Sequence, residues 1–167
     1  MRDFTLSRYS ALLSALSAAE YNITPLPSDQ PRSLILRHDI DARPANALAM
    51  ARIEHAEGVS SFYFFKTRPA VFVPSLISEI ASLGHAIGYH YEDLVQHHGN
   101  HEKAIAGFER NLDKLRQVAE VTAICADGDP LSKYSNLWLW EKYDYRRVGI
   151  THELYLDIDY DGYAHYP

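Results

Sequence analysis

The segment Leu36-Arg-His-Asp-Ile-Asp41 ends a short apolar run that begins at Ser33. The run over residues 33–39 is bounded by polar residues and predicts a buried β-strand. Pro44 follows closely and is typical of the first turn of a helix. Two carboxylates, those of Asp39 and Asp41, therefore stand where a predicted strand ends and a predicted helix is about to begin.

The same alternation of strand and helix continues along the chain. Gly58 and Gly84 suit helix ends, and Pro74 suits a helix start. An alternation of this kind predicts βαβ units and a parallel sheet covered by helices. The predicted helices span residues 5–20, 44–58, 74–84 and 102–119, and the further strands span 60–65, 85–91, 121–126, 145–150 and 154–158.

Chain length limits the architecture that this alternation can build. The 167 residues suit a single domain, 1–167. A closed (β/α) barrel usually takes about 250 residues. We therefore expect an α/β fold with a parallel-stranded, deformed or incomplete (β/α) barrel and an N-terminal helix. The alternative is that the domain is truncated at its C-terminus.

Composition excludes several functional classes. Lys and Arg total 16 against 22 Asp and Glu, and the resulting charge of −6 disfavours nucleic acid as a partner. The single cysteine, Cys125, excludes an internal disulfide framework and a Cys-rich zinc site. No apolar run approaches the ~18 residues of a membrane span. The N-terminal pattern fits an amphipathic helix better than a signal peptide, which favours a cytoplasmic location.

Oxygen and imidazole donors recur at the predicted strand ends. His38, Asp39 and Asp41 follow the first strand, His90 and Glu92 end the third, and Asp127 follows the fourth. In parallel α/β sheets, ligands gather where strands end. Donors of these types suit a divalent cation, with zinc the first expectation.

Asp39 and Asp41 are two residues apart and would point the same way on a continuing strand. One could then bind a metal while the other acts as a general base. Two simpler interpretations stay open: Asp41 caps the helix that begins at Pro44, or Arg37 neutralises both carboxylates. Similarly, His97 and His101 have the i, i+4 spacing of a metal pair, but Gly99 between them favours a solvated loop.

Taken together, these segments make the chain resemble the polysaccharide deacetylase (NodB-like) superfamily, in particular its bacterial surface-polysaccharide biosynthesis branch. The matching stretches are Leu36-Arg-His-Asp-Ile-Asp41, Pro44-Ala-Asn-Ala-Leu48, Gly58-Val-Ser-Ser-Phe-Tyr-Phe-Phe65, Gly84-His-Ala-Ile-Gly-Tyr-His-Tyr-Glu-Asp-Leu94 and Asp129-Pro-Leu-Ser-Lys-Tyr134.

The resemblance implies metal-dependent hydrolysis of an N-acetyl or related acyl group on a sugar, sugar nucleotide or oligosaccharide. It assigns the general base to Asp39 and metal ligands to Asp41 and His90. The usual aspartate pair is adjacent, whereas Ile40 intervenes here, so the two aspartate roles could be exchanged. We expect His38, Tyr91 and Glu92 to line the substrate pocket.

Two positions depart from the family pattern. Leu94 stands where a second ligand histidine is usual, and Asp127-Gly128 stands where the branch often has His-Gly. Asp127 could still be a ligand, because a carboxylate can replace an imidazole on zinc. The alternative is a site that holds no metal, in a catalytically weak or inactive barrel that binds a sugar or a partner protein.

Overall fold

The computed structural model describes residues 5–26 and 30–158. It is a mixed α/β structure with an N-terminal helix and a five-stranded parallel sheet of order β3-β4-β5-β6-β7. The chain divides into two compact units, Met1–Ile87 and Gly88–Pro167, which we take in turn. The elements are α1 (Leu6–Ala18), β1 (Asn22–Thr24), β2 (Ser33–Ile35), β3 (Arg37–Ile40), α2 (Pro44–Ala56), β4 (Phe62–Phe65), α3 (Pro74–Ser82), β5 (Ala86–Tyr91), α4 (Asp93–Gln96), α5 (His101–Arg116), β6 (Val121–Ala126) and β7 (His152–Glu153).

In the first unit, the strand predicted over residues 33–39 is two strands with different partners. β2 pairs in parallel with β1, whereas β3 pairs in parallel with β4. Leu36 lies between them and its carbonyl accepts the Phe62 N–H at 3.0 Å. The fully buried aromatic strand β4 thus aligns with β3, with Asp39 opposite Phe64.

A buried carboxylate, that of Glu54 on α2, organises the polar interior of the first unit. Its side chain has no exposed surface. His38 Nε2 lies 2.6 Å from Oε1, and the hydroxyls of Ser61 and Tyr63 donate to Oε2 at 2.5 and 2.8 Å. The Tyr9 hydroxyl on α1 donates to Oε1 as well. Glu54 therefore joins α1, α2, β3 and β4.

The surroundings of Glu54 favour its ionised form. Burial alone would raise the pKa of this carboxyl, but the hydrogen bond and charge of His38, with the hydroxyls of Ser61 and Tyr9, hold the pKa below its usual value. Conversely, burial and the nearby carboxylate raise the pKa of Tyr9 and of Tyr63. Both phenols therefore remain protonated donors at neutral pH.

In the second unit, helix α5 and strand β6 surround an aromatic core. Residues 121–126 form the strand that the sequence predicts, and Cys125 is fully buried within it, as expected for a packing residue. The rings of Tyr91, Phe108 and Trp140 meet edge to face with centroids 4.9 to 5.6 Å apart. Such aromatic pairs stabilise a core beyond the area that they bury.

The predictions of strands over residues 145–150 and 154–158 are wrong. Tyr145–Val148 is a 3₁₀ helix that follows a second one, Asn136–Glu141. The Asp144 carboxylate accepts the Arg146 N–H, and Gly149 ends the turn at φ +74°. After β7, the Glu153 carboxylate accepts the N–H groups of Tyr155 and Leu156 and holds a turn. Side-chain caps thus override strand propensity in both segments.

Within residues 5–26 and 30–158, helix length and hydropathy together give no candidate for a membrane-crossing helix.

Glu54→Gln should destabilise the protein by about 3 kcal/mol at pH 7, because an amide cannot accept all the hydrogen bonds that the buried carboxylate accepts. The stabilisation from Glu54 is present above its unfolded pKa and is lost as pH falls through the lower folded pKa. The difference from the wild type should therefore shrink below about pH 4.5.

Urea unfolding at pH 7 and at pH 4 measures this difference. Glu57→Gln is the matched control, since Glu57 accepts from Ser10 and Ser14 at the helix surface. Equal free energies of unfolding for the two variants at pH 7 would contradict the role assigned to Glu54.

Candidate functional site

His90 and Asp127 face each other in the second unit. His90 is the penultimate residue of β5 and is 3% exposed, and its Nε2 lies 3.2 Å from Asp127 Oδ1. On the other side of the ring, Nδ1 lies 3.0 Å from the Cys125 carbonyl oxygen. A carbonyl only accepts hydrogen bonds, so Nδ1 carries a proton and donates it. The neutral ring therefore directs the Nε2 lone pair towards a carboxylate oxygen.

Either a proton shared between the two atoms or a cation bound by both satisfies two acceptors at this distance. A histidine whose Nδ1 donates to a backbone carbonyl while Nε2 is directed at a shared point has the usual arrangement of a metal ligand. The imidazole nitrogen and carboxylate oxygen are donors that zinc accepts. The pair therefore fits a divalent cation.

Asp127 is held in place by its backbone. Its N–H donates to the Tyr91 carbonyl at 2.9 Å, and its own carbonyl accepts from Asn136 Nδ2 at 2.8 Å. Asn136 is buried, and its Oδ1 accepts the Val95 N–H at 3.0 Å. Asp129 is the turn residue that we expect before Pro130, since its carboxylate accepts the Leu131 N–H at 2.9 Å. The loop that follows β6 is thus held by hydrogen bonds at Asp127 and at Asp129.

In the first unit, Asp39 presents one paired and one unpaired oxygen. Oδ2 accepts from Arg37 Nη2 at 2.9 Å. Oδ1 is buried and has no hydrogen-bond partner within residues 5–26 and 30–158. Buried polar atoms are rarely left unsatisfied without a functional or bound partner. Arg37 therefore neutralises only part of this group, and Oδ1 remains suited to accept a proton.

Asp41 does not cap helix α2. The N-cap position of that helix is Arg43, in the left-handed conformation at φ +51°, with no side-chain cap. The Asp41 Oδ1 instead lies 2.7 Å from the Nζ of Lys66, whose side chain is 6% exposed. Arg68 donates to the Asp41 carbonyl. The cations that follow β4 thus hold Asp41, and a metal bound there would share this carboxylate with Lys66.

The three residues expected to line a substrate pocket have other contacts. His38 and Asp39 are consecutive in β3 and point to opposite faces, and His38 is engaged with Glu54. The hydroxyl of the fully buried Tyr91 accepts from Trp140 at 2.8 Å. Glu92 is half-buried and accepts from Gln96 at the start of α4. These contacts favour packing roles for His38 and Tyr91.

Three histidines after β5 do not form a metal pair on one helix face. His97 ends α4, whereas His101 begins α5, and Gly99 between them has a φ of +79°. The His101 ring nitrogens lie 3.1 Å from the carbonyl oxygens of Gly99 and Trp138. The turn at Gly99 thus separates His97 from His101, as the sequence suggests, but His101 is tied to the backbone rather than solvated.

Two further carboxylates of the second unit are buried: Asp93, which the sequence places among the donors at the end of the third predicted strand, and Glu153, to which it assigns no role. Asp93 accepts from Tyr89 and Asn111 at 2.6 and 2.9 Å, and burial raises its pKa. Glu153 accepts the Ala126 N–H at 2.9 Å, and burial raises its pKa as well. Glu153 thereby secures the end of β6, immediately before Asp127. Asp93 is the last residue of the matched segment His90-Tyr-Glu-Asp93, whereas nothing in the sequence distinguishes Glu153.

Comparison of the sequence with protein-family models and curated proteins, and of the structure with solved structures, finds no match.

His90→Ala and Asp127→Asn should each weaken zinc binding at least tenfold, because each removes one of two donors that face a common point. Titration calorimetry with zinc on the full chain measures the dissociation constant. His55→Ala is the control, since His55 is exposed and contacts the Leu83 carbonyl. Zinc affinity that is the same in all three variants would remove His90 and Asp127 from the ligand set.

Proposed function

We propose that the protein hydrolyses an N-acetyl or related acyl group on a sugar, in a metal-dependent reaction of surface-polysaccharide biosynthesis. The observation that carries the proposal is the pair of acceptors His90 Nε2 and Asp127 Oδ1, 3.2 Å apart, with the ring fixed by the Cys125 carbonyl. The family resemblance supplies the reaction class. It also implies the deformed (β/α) barrel, whereas the cytoplasmic location in this proposal rests on the N-terminal sequence pattern.

In this proposal His90 and Asp127 hold the divalent cation, with zinc as the expected metal. When bound, the cation polarises the acyl carbonyl and makes water more acidic. The Cys125 carbonyl keeps the Nδ1 proton on His90, so that Nε2 stays a donor to the metal.

Asp39 is the general base. Arg37 orients its carboxylate through Oδ2, and the buried Oδ1 accepts a proton from water as the water oxygen attacks the acyl carbonyl carbon. The C–N bond then breaks, the carboxylic acid is released, and the sugar nitrogen takes up a proton to leave as the amine. One turnover thus consumes one water, returns to the sugar nitrogen the proton that Asp39 took up, and releases one acetate for each N-acetyl group.

A catalytically weak or inactive sugar-binding protein is the second candidate. Leu94, at the position of the usual second ligand histidine, is fully buried on α4 and contributes no donor. Lys66 also occupies one oxygen of Asp41. Under this hypothesis, N-acetylated sugars bind and no acetate is released with any metal.

Asp39→Asn should lower kcat for acetate release by at least 10²-fold, because the amide cannot accept the proton from water. The assay uses N-acetylated sugar nucleotides and oligosaccharides, with zinc, cobalt or manganese added. Asp113→Asn is the matched control, because Asp113 is exposed on helix α5. Release that is unchanged in Asp39→Asn would reject Asp39 as base, and no release from the wild type with any metal would favour the second candidate.

A further inference from the structure

A cleft of about 480 Å³ opens beside Asp127 in the second unit. It is lined by the loop that follows β6 and by the start of the 3₁₀ helix Asn136–Glu141. Its aromatic walls are Tyr134 and Trp138, and Trp138 is 44% exposed. One end of this cleft is thus the carboxylate that faces His90, so whatever fills the cleft lies next to the candidate metal ligands.

The Tyr134 ring and the backbone that carries Trp138 are fixed before any ligand binds. The Tyr134 ring packs directly on Gly99, where a Cβ would come within 2.3 Å of the ring. The Trp138 carbonyl lies 3.1 Å from His101 Nε2, which ties this turn to the start of α5. Exposed, pre-positioned aromatic faces are suited to stack on the apolar face of a sugar ring, because little side-chain freedom is lost on binding.

Lys133 gives the cleft a positive charge. Its Nζ lies 5.1 Å from the centroid of the Tyr134 ring, and it is the one cationic side chain among the described residues that line the cleft. No carboxylate pairs with Lys133 in the described part of the chain, residues 5–26 and 30–158. The acidic groups of the lining are Asp127, which faces His90, and Asp129, which is used in its turn.

We propose that this cleft binds the saccharide part of the substrate, and that the substrate carries an anionic group that contacts Lys133. The inference rests on the proposed function, because it places the sugar beside the same Asp127. Trp138 and Tyr134 stack on the sugar, and Lys133 pairs with a phosphate or carboxylate attached to it. A sugar phosphate, a sugar nucleotide or an acidic sugar residue of an oligosaccharide has this chemistry.

The test measures binding separately from hydrolysis. The full chain carrying Asp39→Asn, with chelator present, is titrated by calorimetry with N-acetylglucosamine 1-phosphate, N-acetylmuramic acid and neutral N-acetylglucosamine. The phosphate-bearing or carboxylate-bearing sugar should bind at least tenfold more tightly than the neutral sugar, and this preference should fall as salt is added. Comparing the two anionic probes distinguishes phosphate from carboxylate.

Lys133→Met should weaken binding of the preferred anionic sugar at least tenfold and leave binding of the neutral sugar unchanged. The control Lys142→Met, at an exposed lysine outside the cleft, should change the affinity for neither sugar. Trp138→Ala should weaken the binding of every sugar tested, and Trp138→Phe should restore that binding. Equal affinity for charged and neutral sugars, or equal effects of Lys133→Met and Lys142→Met, would overturn the proposal. Because neither metal nor turnover is involved, anionic-sugar binding without acetate release in the wild type would contradict the proposed reaction alone.

Discussion

The contact between His38 and Glu54 fixes the face of strand β3 from which the candidate catalytic side chain, that of Asp39, projects. Strand side chains alternate between faces, so a strand whose histidine is held by a buried carboxylate must direct its neighbours to the opposite face. Glu54 fixes His38, and Asp39 is thereby turned away from α1 and α2. Tyr9 adds the N-terminal helix to the same carboxylate. The orientation of a candidate base thus depends on a helix residue that never touches it.

Local patterns predict most of the elements because their causes are local. Pro44 and Pro74 begin helices, glycines at positive φ end them, and the aromatic run Phe62–Phe65 forms a buried strand. The proximity of His90 and Asp127 also follows from reasoning about strand ends. These features require only periodicity and turn chemistry, which a sequence displays directly.

The features that sequence reasoning misses depend on long-range partners. Glu54 shares the buried face of α2 with Ala47 and Ala51. From sequence alone a glutamate in a helix is expected to be solvent-exposed. Its burial is explained only by the partners that surround it in the fold, Ser61, Tyr63 and His38. Likewise, residues 145–150 have the composition of a strand, and the Asp144 cap decides otherwise. The ion pair of Asp41 with Lys66 joins two predicted strand ends whose side-chain directions the sequence does not specify.

The way in which residue 127 is held has a consequence for how this site can change over evolutionary time. Its N–H and carbonyl are fixed by Tyr91 and Asn136, so the backbone position does not depend on which side chain the residue carries. Carboxylate and imidazole can therefore be exchanged there at little cost in folding. A site built on such a position can move between harder and softer metals through a single codon change, while the fold around it stays the same.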